Sequence, residues 1–101
     1  PTMVGKGLDP VSGADLSVLP VTSRMNGKLY YQLLEQYNDV TRQVARQRGI
    51  LLIDLSEKLP KGGKYFYDNL HFNLEGNKQV ASIIFAPLDS LLANRFPGFR
   101  K

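Results

Sequence analysis

The chain has 101 residues, 43% hydrophobic and 22% charged, the composition of one globular domain or a piece of one rather than of a disordered segment. It has no cysteine and a single histidine, which excludes disulfide scaffolds, thiolate chemistry and any metal site that needs several Cys or His ligands from one chain. The net charge of +4 arises from 13 Lys and Arg scattered among nine acids, with no aromatics interleaved. It therefore reads as a solvated surface, and nucleic acid is not an expected partner. No run approaches the ~20 apolar residues that span a bilayer. Residues 1–6 lack the basic start and apolar run of a signal peptide, and the compartment stays open.

Residues 1–27 read as a Gly- and Pro-punctuated loop or insertion, marked by Gly5, Gly7, Pro10, Gly13, Pro20 and Gly27. Within them only residues 16–19 resemble a strand, and Pro20 confines it to a short edge piece. From Lys28 the pattern becomes helical: Tyr30, Leu33, Leu34, Tyr37, Val40, Val44 and Ala45 predict an amphipathic helix with one buried stripe. Arg46 and Arg48 suit its negative end, and Gly49 suits a left-handed terminator. The unbroken run Ile50-Leu51-Leu52-Ile53-Asp54-Leu55 predicts a strand covered on both faces. Asp54, at its end, is read as capping a following turn, with one helical turn near residues 57–59 in an otherwise irregular connector.

Asn73 is a good N-cap for a last helix, with Glu75 in its first turn. Leu74, Asn77, Val80, Ala81, Ile84, Leu88, Leu91 and Leu92 mark one face, Pro87 predicts a kink or break, and Pro97-Gly98 ends the pattern. This order contains one convincing strand. A doubly covered strand needs neighbours on both edges, and each buried unpaired backbone group costs ~1–3 kcal/mol. Weak segments at 16–19 and 65–67 are poor candidates for that pairing, so the missing strands are expected on another polypeptide.

The chemistry concentrates in Tyr65-Phe66-Tyr67-Asp68-Asn69-Leu70-His71-Phe72-Asn73-Leu74-Glu75-Gly76. An aspartate three residues before a histidine on a turn can hold one imidazole nitrogen and leave the other free, and histidine is the side chain that changes charge near neutral pH. Taken alone, such a pair is more often a surface or capping pair than a catalytic one.

The Asp-x-x-His-x-Asn-x-x-Gly run, placed after the Ile53-Asp54-Leu55 strand end and the helix carrying Tyr37-Asn38 and Val44-Ala45, resembles the C-terminal portion of SGNH (GDSL) hydrolases. The resemblance covers residues 28–94. It implies an α/β fold: the C-terminal part of a flavodoxin-like three-layer α/β/α domain, formed by residues 28–101, with a parallel sheet completed elsewhere. It implies an ester hydrolase working through a Ser-His-Asp acyl-enzyme, in which His71 is the base and Asp68 its partner. Tyr67, next to Asp68, is the best candidate to line the substrate site. The family's Gly-Asp-Ser block and oxyanion residues have no counterpart here; Gly13-Ala14-Asp15-Leu16-Ser17 is a superficial echo, and Ser56, Ser82 and Ser90 have no supporting motif. The implied partners are a small-molecule ester and the N-terminal half of the domain, or another copy of the chain, with no cofactor or metal. The chain by itself is then expected to be inactive. The alternatives are a non-catalytic binding or assembly module derived from the same fold, and a small basic binder of an anionic polymer.

Overall fold

The computed structural model describes residues 1–99. In chain order it contains β1 (Pro20–Thr22), β2 (Met25–Asn26), α1 (Gly27–Arg48), α2 (Leu55–Lys58), α3 (Leu74–Arg95) and a 3-10 turn (Pro97–Phe99). Strands β1 and β2 pair antiparallel, with Pro20 opposite Asn26 and Thr22 opposite Met25. The turn between them is made by Thr22, whose Oγ1 accepts the amides of Arg24 and Met25 at 3.2 and 3.1 Å. The edge strand expected at residues 16–19 does not form; those residues turn, and the ribbon begins at Pro20 itself. Pro20 is tolerated because a two-stranded ribbon has only edges.

Helix α1 follows the sequence pattern closely. Asn26 caps it by accepting the Leu29 amide at 3.0 Å. Gly49 ends it at φ 61°, with its amide directed to Ala45 and Arg46, and the Ile50 amide returns to Ala45 O at 3.0 Å. Only a residue without a Cβ enters that left-handed region cheaply, and the two amides close carbonyls that the helix end leaves open. Helix α3 starts at the predicted cap, Asn73, whose Oδ1 accepts the Gly76 amide at 2.9 Å. It continues through Pro87 to Arg95, so the expected break does not occur, although Ile83 O loses its helical donor there.

Two expectations are corrected. Residues 50–54 form no strand: among the described residues they pair with no ladder, and Leu55 opens α2 instead. The apolar run is there, but strand pairing is non-local, and among the described residues no neighbouring strand is present to complete it. A parallel flavodoxin-like sheet is accordingly absent among the described residues, and the architecture is mixed helix with one small antiparallel ribbon. The apolar stripe of α1 is also largely open to water rather than buried: Leu33, Tyr37, Val40 and Val44 are exposed, Tyr37 to 74%, while Tyr30, Leu34 and Ala45 are half-buried. Ile50, Leu51, Leu52, Phe85, Leu88 and Leu92 are exposed as well. The radius of gyration is 16.2 Å, against about 13 Å for a compact chain of this length. No helix among the described residues is long and apolar enough to cross a membrane.

The small core lies where residues 1–19 meet the connector between α2 and α3. Val4, Leu16, Leu59 and Phe66 are buried there. The Met3 amide donates to Asn69 O at 3.0 Å, the Thr2 hydroxyl to the same carbonyl at 2.8 Å, and the Gly62 amide to Met3 O at 3.2 Å. Asp9 is the main pin. Its carboxylate accepts the Ser12 hydroxyl (2.6 Å) and the amides of Ser12 (3.2 Å), Val11 (3.3 Å) and Gly63 (3.0 Å). These bonds, the Ser12 hydroxyl foremost and the Gly63 amide next, hold its pKa below the ordinary carboxylate range. Because the folded-state pKa is the lower one, the stabilisation is complete above the unfolded value of about 3.9 and is lost as pH falls through the folded value. Asp9→Asn is expected to lower Tm at pH 7, with the gap to the unsubstituted protein closing as melts are repeated towards pH 2.

Candidate active site

The loop that carries the sequence motif is a tight hairpin braced on α3. Phe66 and Phe72 form an antiparallel bridge, with their rings 5.2 Å apart and tilted by 56°, and Phe66 is buried. The Tyr67 amide donates to His71 O at 3.1 Å, and the Asn73 amide to Tyr65 O at 3.0 Å. Asn73 also donates through Nδ2 to Lys64 O (3.0 Å) and Gly63 O (3.3 Å), so one side chain caps α3 and holds the approach to the hairpin. Gly76 lets the two elements touch: a Cβ there would stand 2.0 Å from Tyr65 O and 3.0 Å from Phe72 Cβ. Helix α3 is thereby pressed against the base of the hairpin, with residues 67–71 at its outer end.

At that end Asp68 and His71 meet. Asp68 Oδ1 accepts the Leu70 amide at 2.8 Å and the His71 amide at 2.7 Å, and its Oδ2 lies 2.7 Å from His71 Nδ1. The backbone amides of His71 and Leu70, ahead of the imidazole itself, lower the Asp68 pKa. An ionised carboxylate can only accept, so Nδ1 carries the proton in this contact. In the neutral ring Nε2 then holds the lone pair, and among the described residues it has no hydrogen-bond partner. The His71 side chain is 65% exposed and that of Asp68 45%.

Tyr67 lies beside the pair. Its ring stacks on the imidazole with centroids 5.5 Å apart and planes 14° from parallel. Nothing in residue type or spacing announced this stacking; the signal lies in the antiparallel pairing of positions 67 and 71 across the hairpin.

The remaining candidates serve local structure. Asp54 caps α2 by accepting the Glu57 amide at 3.1 Å, as its position predicts, and also takes the Arg42 guanidinium. Arg42 bonds Glu35 (3.1 Å) and Asp39 (2.7 Å) as well, and Ser56 donates its hydroxyl to Glu35 at 2.6 Å. This cluster ties residues 54–56 to α1 in place of strand pairing. Ser17 donates to Asp15 at 2.7 Å within its own turn. Among the described residues, no serine hydroxyl hydrogen-bonds to the imidazole, and no group of three or more His, Asp or Glu side chains is arranged to hold a metal ion. No family model, curated protein or solved structure matches the chain.

Proposed function

We propose that this chain carries the acid–base half of an SGNH-type ester hydrolase. The observation that supports it is the Asp68–His71 contact: an ionised carboxylate fixes the proton on Nδ1 and leaves Nε2 free at the rim of a braced loop. His71 Nε2 takes the proton of a serine hydroxyl as that oxygen bonds to the ester carbonyl carbon, and passes it to the departing alcohol. A water molecule then repeats the sequence on the acyl-enzyme, returning the proton to the serine. Asp68 orients the imidazole and stabilises its charged form. The serine and the oxyanion donors come from the N-terminal half of the domain.

The same reading accounts for the unpaired apolar run at residues 50–53 and for the open stripe of α1. In the completed α/β/α domain the run becomes a strand of a parallel sheet and the stripe packs against it.

A serine-directed phosphonate tests the proposal. The longer protein, or this chain complemented by the missing half, is expected to take up one phosphonate and to hydrolyse an aryl acetate, while the 101 residues alone do neither. Failure of the completed protein to react would favour the assembly-module alternative. Serine-dependent turnover by the isolated chain would overturn the account of a nucleophile supplied from elsewhere.

A further inference from the structure

We infer that Tyr67 is a positioning residue for His71: its ring stacks, offset and nearly parallel, beside the imidazole and restrains the ring whose Nδ1 is held by Asp68. This rests on the reading of His71 as the general base and adds to it a second restraint. The Asp68 bond fixes one ring atom, Nδ1, on a side chain that is 65% exposed and has little packing to stop it swinging. Stacking at 5.5 Å and 14° opposes tilting of the ring plane, which a single hydrogen bond does not.

The arrangement is built by the backbone. The Tyr67 amide donates to His71 O at 3.1 Å, which sets the two residues opposite each other across the hairpin. The bridge between Phe66 and Phe72 fixes that register one position further in. The rings are offset and the imidazole stays 65% exposed, so a reactant can still reach Nε2. The Tyr67 hydroxyl makes no hydrogen bond among the described residues, so the ring is the active part and phenylalanine should replace it.

Since the chain has one histidine, its imidazole gives a single set of 15N and Cε1–H signals. In Tyr67→Phe these signals are expected to match those of the unsubstituted chain, with the Nδ1-protonated tautomer dominant and Cε1–H shifted upfield by the neighbouring ring. In Tyr67→Leu the upfield shift should vanish and the second tautomer appear. In the completed hydrolase, Tyr67→Leu should lower kcat by about three- to tenfold with KM nearly unchanged, and Tyr67→Phe should restore it. An unaltered imidazole spectrum in Tyr67→Leu would overturn the inference. So would an unaltered kcat in that variant alongside an inactive His71→Ala, and the hydrolase reading would then stand without Tyr67. Full turnover by His71→Ala would remove the general base itself, leaving the stacking as a structural contact only.

Discussion

If the proposed hydrolase reading holds, replacing His71 with alanine in the completed protein lowers kcat on an aryl acetate by about 10²–10⁴-fold, the range that a positioned proton carrier supplies. KM should change little, because the imidazole acts on the serine proton rather than on the bound ester. Asp68→Asn is the sharper companion. The carboxamide can still accept the Leu70 and His71 amides through its oxygen, so the turn survives. Its nitrogen would then face Nδ1 and donate to it, driving the imidazole proton to Nε2, where it blocks the lone pair that attacks the serine proton. Loss comparable to that of His71→Ala is the expected result, with a small fall in Tm at pH 7 because the charged carboxylate also holds the turn. Steady-state kinetics with a nitrophenyl ester read both, and retention of kcat in either variant would remove that residue from the mechanism.

Gly76→Ala is expected to destabilise the protein by about 2 kcal/mol or more, against the usual direction for this substitution in a helix. Alanine is intrinsically favoured over glycine at a helical position by ~1 kcal/mol. Here the new methyl would sit 2.0 Å from Tyr65 O and 3.0 Å from Phe72 Cβ. The nearer obstacle is backbone, so either α3 slides away or the hairpin moves; overpacking typically costs ~1–3 kcal/mol and more where backbone must shift, which outweighs the propensity gain. Urea unfolding gives the stability. Loss of the upfield shift of the His71 Cε1–H signal would show that the hairpin had moved. Asn77→Ala, one position on and exposed, is the control and should be close to neutral.

What could be read in the amino-acid order was what is encoded locally. Helix α1 follows from a 3.6-residue pattern closed by Gly49, and α3 from Asn73 and the pattern after it, because caps and periodicity act within a few residues. The Asp68–His71 contact was legible for the same reason. The strand at residues 50–55 was not realised, since its hydrogen bonds depend on neighbours distant in sequence or outside the chain. The buried stripe of α1 failed with it: periodicity tells which face is apolar, not what covers that face. The role of residues 1–19 was hidden because Val4, Leu16 and Asp9 follow no period, and only the folded chain brings them to Leu59, Phe66 and Gly63. The stacking of Tyr67 on His71 was not legible, because it depends on hairpin register.

The separation of three residues between Asp68 and His71 also bears on the order of folding. A contact of such low contact order closes on the timescale of short-loop formation, ~10–100 ns, and needs no distant segment to be in place. Pairing residues 50–53 with strands from a different stretch of polypeptide is slow by comparison. On the proposed reading, the Asp68–His71 corner is ready before assembly, and the late, rate-setting event in gaining activity is the arrival of the nucleophile. Activity should therefore lag behind helix formation during refolding of the completed enzyme, and in a two-piece complementation its rate should depend on the concentration of the pieces.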